Sequence, residues 1–217
     1  SMNSVKVYFN NELLSISQGE DEYALGKQVE ISFASEGDIS YANGGIILEI
    51  TFTPRDGEEG KEYILIDSAN FASTVVTYDL SSFFLEHMQN GGTLSYKAFV
   101  NSYSDGESYI LSSNSIESSV YEVLATPIYD ETDGTIILTN EGVIIGEKDG
   151  ENINENASYA VSFTDGQNYV TRIIGADDDY TFEYPDAWVS NENYTISIMA
   201  FEAGKISSAV TTLEILL

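Results

Sequence analysis

The sequence predicts an all-β protein of two consecutive sandwich domains, with one short helix in the first. Three observations carry that prediction. Apolar and polar side chains alternate with a period of two along many short runs, turn-forming pairs separate those runs, and their order in the first half recurs in the second. A strand turns successive side chains to opposite faces, so such alternation marks sheets with one face on a core and one in water.

In the first half the alternation is carried by Val5-Lys6-Val7-Tyr8-Phe9, by Val29, Ile31 and Phe33, by Leu48, Ile50 and Phe52, and by Leu94, Tyr96, Ala98 and Val100. The second half repeats it in Tyr159, Val161 and Phe163, in Tyr180, Phe182 and Tyr184, and in Tyr194, Ile196, Ile198 and Ala200. Between the runs stand Asn43-Gly44-Gly45, Asp56-Gly57, Asp105-Gly106, Asp133-Gly134, Asp149-Gly150 and Asp165-Gly166, pairs that accept the backbone angles of tight turns. The one helix expected is Ser81 to Gln89, with Ser81 as its cap, Phe84, Leu85 and Met88 on one face, and Gly91-Gly92 to end it. At about two turns it cannot stand alone and must pack on a sheet.

The repeat divides the chain. Leu48 to Thr53, a Gly-containing turn and Tyr63 to Ile66 correspond to Tyr159 to Thr164, another Gly turn and Tyr169 to Ile174. Thr77 to Leu80 then matches Thr181 to Tyr184, a short apolar corner follows in each (Phe84-Leu85 or Trp188-Val189), and Leu94 to Phe99 matches Ile196 to Phe201. The expected domains are residues 1–124 and 125–217, with Pro127 interrupting ladder pairing and a short linker that leaves the pair stiff.

Composition narrows the classes of function. Hydrophobic residues make up 42% of the chain, with 15 Tyr and 10 Phe, which suits half-buried sheets and excludes wholesale disorder. Against 8 Lys and Arg stand 36 Asp and Glu, a net charge of −28. The first 124 residues carry 5 basic and 19 acidic side chains and the rest 3 and 17, so each half is at −14. A surface of that sign repels phosphate backbones and anionic lipid, which argues against nucleic acid and membrane partners. With no cysteine there is no disulfide, thiol nucleophile or cysteine metal site. No apolar run approaches the roughly 20 residues of a spanning helix. Ser1-Met2 reads as a cleavage scar; a natural start at Met2 would instead mean synthesis without an export signal.

Tyr194-Thr195-Ile196-Ser197-Ile198-Met199-Ala200, followed by Gly204 and Ser207-Ser208, resembles the Tyr-x-Ile-x-Ile-x-Ala strand, glycine turn and last-strand serines of fibronectin type III and related immunoglobulin-like domains. The resemblance covers about 90 residues of the second half. It implies that the Tyr194 hydroxyl turns back onto the corner backbone, that Trp188 plugs the same corner, and that the module spaces, adheres or recognises. The chain departs from the pattern in two places. Val143-Ile144-Ile145 stands where the family carries an early tryptophan, and Gly92 falls in register with Tyr194 in the first half.

No residues are arranged for catalysis. His87, the only histidine, lies between Glu86 and Met88 without a nucleophile or orienting acid in sequence, and no phosphate-cradling glycine loop is present. Carboxylates are the abundant reactive groups, and all their clusters fall in turns. Asp177, Asp178 and Asp179, and Asp130 with Asp133, are candidate calcium ligands or else solvated turns, calcium being the one cofactor this composition admits. Tyr103, Tyr109 and Tyr129 are the candidate surface tyrosines for stacking on a sugar. The expected role is a non-catalytic structural, adhesion or spacer module of a bacterial surface or secreted protein. Its expected partner is a protein, a surface polysaccharide or a neighbouring domain of a longer chain. A phage virion appendage and a carbohydrate-binding module are the alternatives.

Dense charge of one sign repels itself, and salt screens that repulsion over a Debye length of about 10 Å at 0.1 M. The melting temperature is therefore expected to rise from low to moderate ionic strength. A flat series would show that the carboxylates are already compensated.

Overall fold

The computed structural model describes residues 7–15, 23–33, 44–67, 75–101, 103–104, 109–110, 115–130, 134–146 and 154–217. It is built of antiparallel sheets that form two sandwiches in succession.

In the first sandwich, β1 (Val7–Ser15), β2 (Tyr23–Phe33) and β5 (Val75–Asp79) form one sheet in the order β1-β2-β5. The facing sheet has the order β10-β6-β3-β4, built from β3 (Ile46–Pro54), β4 (Gly60–Ile66), β6 (Gly92–Val100) and β10 (Tyr121–Val123). A short β9 (Ile116–Glu117) also pairs with β6, and β7 (Tyr103–Ser104) with β8 (Tyr109–Ile110) makes a small hairpin between them.

The second sandwich repeats this plan. One sheet runs β11-β12-β15, from β11 (Ile136–Leu138), β12 (Gly142–Ile145) and β15 (Thr181–Glu183). The other runs β14-β13-β16-β17, from β13 (Ser158–Thr164), β14 (Tyr169–Ile174), β16 (Asn193–Phe201) and β17 (Thr211–Leu216). The split into three and four strands, with the fourth strand beside the third, is an immunoglobulin-like layout.

Every pair of segments matched in the sequence repeat occupies the same strand in the two plans. For β3 with β13, β5 with β15 and β6 with β16 the correspondence holds to the residue, whereas Tyr63 faces Glu49 and Tyr169 faces Thr164, so β4 and β14 match as strands but not in that register. Phe52 faces Leu94 across β3 and β6 where Phe163 faces Ile196 across β13 and β16, and Leu80 N donates to Lys27 O where Tyr184 N donates to Glu141 O. Gly92 is thus the positional equivalent of Tyr194, and Lys27 of Glu141.

The alternation in sequence becomes the core. Along β3 the odd side of the pattern is exposed only in part while Ile46, Leu48, Ile50 and Phe52 are buried, and along β16 the same holds for Tyr194, Ile196, Ile198 and Ala200. These residues anchor two separate apolar clusters, one per sandwich. The side chains of Ile31, Phe33 and Val100 lie outside the described residues, as do Val5 and Lys6.

The helix α1 spans Ser81–His87 and corrects two expectations. Its cap is not Ser81. Leu80 holds the N-cap position, and the Asp79 carboxylate accepts from both Ser81 N (2.8 Å) and Ser81 Oγ (2.6 Å), because a carboxylate one residue before the first turn reaches the open N–H groups. Nor does Leu85 share the buried face. It is 53% exposed, while Phe83, Phe84 and Met88 are buried, since a chain entering at Leu80 turns positions 83, 84 and 88 toward the sheet.

In the second sandwich the corresponding corner carries no helix and closes with aromatic rings. Trp188 stacks on Tyr194 (3.8 Å between centroids), meets Phe163 edge-on (5.0 Å) and faces Tyr184 (5.7 Å). The Tyr194 hydroxyl accepts from Val189 N at 2.9 Å, the corner bond that the resemblance implies. Removing that acceptor strands a partly buried N–H, so Tyr194→Phe is expected to destabilise the protein by about 1–2 kcal/mol in denaturant unfolding. A variant as stable as the parent would assign the hold on the corner to ring packing alone.

Candidate functional site at the junction of the two sandwiches

The candidate residues named from sequence fall in separate segments of the chain. Asp177 and Asp178 sit in a 3-10 turn (Ala176–Asp178), Asp179 follows with φ +51°, and Asp178 Oδ2 accepts from Gly175 N at 3.2 Å. Asp130 lies in the segment before β11, and Asp133 lies outside the described residues. Among the described residues, no three or more His, Asp or Glu side chains gather as a metal site. His87 is structural. Its Nε2 lies 2.9 Å from a Glu62 carboxylate oxygen and its ring 4.9 Å from that of Phe52. Tyr129 is 44% exposed; the side chains of Tyr103 and Tyr109, on β7 and β8, lie outside the described residues. Among the described residues, no helix is long and apolar enough to cross a membrane.

Polar and apolar contacts concentrate instead where the sandwiches meet. The loop between β16 and β17 presents Ile206, which is 1% exposed and belongs to the apolar cluster of the first sandwich together with Leu80, Phe84 and Val123. Burial of that side chain is joined to a backbone pairing: Ile206 N donates to Glu122 O (2.8 Å), Leu124 N donates to Ile206 O (3.0 Å), and Val123 and Ile206 form a parallel bridge. The loop therefore extends the first sandwich's sheet beyond β10.

Polar contacts from Lys205, Lys27 and Thr126 brace this joint. Lys205 Nζ reaches Glu122 at 2.8 Å and Glu202 at 2.9 Å, and those hydrogen bonds raise its pKa. Lys27 Nζ crosses from β2 to donate to Ser207 Oγ (3.1 Å) and Ser208 O (2.7 Å), and lies 6.0 Å from the Phe84 ring centroid. Thr126 N donates to Gln89 O at 2.7 Å, tying the linker to the end of α1.

Local conformation permits the close approach. Gly91 has φ +74°, and a Cβ there would stand 2.6 Å from Val123 O, so only glycine lets the chain leave α1 against the linker. On the other side buried Asn154 grips Ala125 twice, accepting from its N–H and donating to its carbonyl, both at 2.9 Å. Thr211 Oγ1 donates to Pro127 O. A polar groove of about 450 Å³ runs along the joint, lined in part by Arg55, Asn90, Glu122, Asn154 and Lys205.

Sequence reasoning singled out Ser207 and Ser208 but missed Ile206 and Lys27. The one available signal was an isoleucine between Lys205 and two serines, out of phase with any strand. Ser208 has both roles at once: its hydroxyl accepts from Ala200 N (2.8 Å) and donates to Ala209 O (2.7 Å), while its carbonyl receives Lys27.

No family model matches the chain, and no curated protein matches it. Among solved structures it is similar to a two-domain fibronectin type III segment of chicken tenascin, at 11% identity over 96% of this chain and 98% of that one, with a TM-score of 0.34. It is also similar to the FN1–FN3 domains of chicken CNTN1, at 12% identity over 88% of this chain and 63% of that one, with a TM-score of 0.30. The assignment of two sandwiches rests on the strand order of the chain itself.

Lys27 makes the joint sensitive to pH. Desolvation lowers its pKa from 10.5 to about 8, against the opposing pull of the Asp79 carboxylate, so it is charged at pH 7. Between about pH 8 and 10.5 the unfolded chain holds the proton that the folded chain has released, and the contribution of Lys27 to stability rises with pH; below about pH 8 it is flat. Urea unfolding of the parent and of Lys27→Met is expected to diverge in the parent's favour from pH 8 to 10. Parallel curves would show that Lys27 is solvated.

Proposed function

We propose that the chain is a non-catalytic spacer or adhesion module of a bacterial surface or secreted protein that acts through protein partners. The observation that carries this reading is Ile206. A residue of the second sandwich buried in the first sandwich's core fixes the relative placement of the two, as a spacer requires. Among the described residues the alternating apolar positions of β3, β6, β13 and β16 belong to the two cores. We place the domains at 1–124 and 125–217; the change of core falls between Val123, in the first cluster, and Leu124, in the second, one residue before that division.

A carbohydrate-binding role has exposed Tyr129 in its favour. A glycan array with the intact chain, beside a pull-down, separates that role from protein recognition. Calcium binding at Asp177–Asp179 or at Asp130 with Asp133 rests on the closeness of these carboxylates in sequence. A melting temperature unchanged between millimolar calcium and chelator removes it.

Ile206→Ser tests the spacer reading directly. Large-to-small changes at buried isoleucines cost about 2–5 kcal/mol, and a hydroxyl adds desolvation. The variant is expected to keep both sandwiches folded, to unfold in two transitions, and to show independent tumbling of the halves by NMR relaxation. A variant that tumbles as one body would refute the role given to Ile206.

A further inference from the structure

The groove of about 450 Å³ along the joint falls within the roughly 300–1,000 Å³ common to small-ligand sites. The first sandwich contributes a row of side chains across its sheet, in which Thr53 on β3 faces Thr93 on β6 and Thr93 faces Glu122 on β10. Arg55 follows β3 and is held by the bond from its N–H to Gly91 O at 2.9 Å. Gly92 permits that approach. Its φ is +141°, and a Cβ there would collide with Thr53 O and stand 3.0 Å from Arg55 N. The second sandwich contributes Glu155 and Asn156, which are brought to the groove by the grip of Asn154 on Ala125.

Part of this lining is already spent. Lys205 is taken by Glu122 and Glu202, and Asn154 by the linker. The side chains of Thr53, Arg55, Asn90, Thr93, Glu155 and Asn156 form no hydrogen bond or ion pair with any described residue. Arg55 stands out among them. Lys27, Lys61, Lys97 and Lys205 each meet an acid or a serine, whereas this guanidinium is left open in a chain of 36 acids against 8 bases.

We propose that the groove binds a short neutral saccharide. Its two unengaged charges, Arg55 and Glu155, cancel. A further anion would enter the field of a chain at −28, and an ammonium guest would face both Arg55 and Lys205. A sugar hydroxyl both donates and accepts, so neighbouring hydroxyls answer the guanidinium and amide donors together with the carboxylate and threonine acceptors. Val123, Leu124 and Ala125 in the lining are buried, and among the described residues no aromatic side chain lines the groove. It therefore offers no apolar seat for the side chains of a peptide.

The site is separate from exposed Tyr129, which does not line the groove, and it goes beyond the spacer reading. Both sandwiches contribute to it, so a bound saccharide touches both and opposes their separation. Saccharide binding and the stability of the joint are linked.

The test is an NMR titration of the full chain, read on the side-chain amides of Asn90 and Asn156. The probes are methyl α-glucoside, methyl α-galactoside, methyl α-mannoside and cellobiose. Glucuronate, ethanolammonium and tetraglycine serve as the anionic, cationic and peptide controls. At least one neutral sugar is expected to shift both amides saturably, with an affinity indifferent to salt. Arg55→Gln and Asn156→Ala change exposed positions, so the fold is retained, and they are expected to weaken that binding about tenfold and about fivefold, with Asn90 as the reporter in the second. The inference is overturned if no neutral probe saturates, if any of the three controls binds more tightly, or if both variants bind as the parent does. Failure here while Ile206→Ser still frees the two halves removes the saccharide alone. The spacer reading fails separately, on an Ile206→Ser variant that tumbles as one body.

Discussion

The architecture of this chain depends on one side chain buried in a core built by the other domain. A sandwich of about 100 residues has limited apolar surface to bury, and each half here closes its own cluster. Ile206 breaks the symmetry by joining the first cluster from a loop of the second domain. Once it is seated, the remaining contacts follow from proximity. Its backbone lies alongside Glu122 and Leu124 and completes an edge, Lys205 falls beside Glu122, and Ser207 and Ser208 come within reach of Lys27. Without the apolar anchor, each of those polar contacts would be an exposed or semi-exposed pair of small net worth.

Scarce positive charge is invested at that joint. Only eight lysines and arginines oppose thirty-six acids, yet two of them, Lys27 and Lys205, hold the domains together. The others among the described residues that form ion pairs do so within one sandwich, Lys61 with Glu49 and Lys97 with Glu117. Two strongly acidic bodies would otherwise repel one another across a short linker, and a lysine pulled out of water to bond serine oxygens answers that repulsion where it is largest. Desolvation of Lys27 outweighs the opposing pull of Asp79, while the two acceptors and the nearby Phe84 ring hold its amine in place.

Much of the fold was legible in the sequence because period-two alternation is a local property that burial enforces residue by residue. Leu48, Ile50 and Phe52, and Ile196, Ile198 and Ala200, are buried as their phase requires, and the repeat correctly matched strands that now share positions in the two plans. The corner role of Tyr194 also followed, because the bond to Val189 N joins residues close in sequence. What local pattern could not supply was the handling of loop residues. Leu85 is helical and apolar yet points to water, since two turns of helix expose one side whatever the side chains prefer. Ile206 and Lys27 are 179 positions apart in the chain, and nothing in alternation says which core a loop isoleucine will enter.

The chemistry of Lys27 gives the joint an intrinsic clock. An amine that titrates near 8 is substantially uncharged in mildly alkaline solution and would be a better nucleophile than the exposed lysines, whose charge is held by neighbouring carboxylates. It is nevertheless packed beneath the serines of the opposing loop. Lys27 is only partly buried, so acylating reagents meet an intrinsically reactive group whose access the joint restricts, and its capping should quicken whenever the joint loosens.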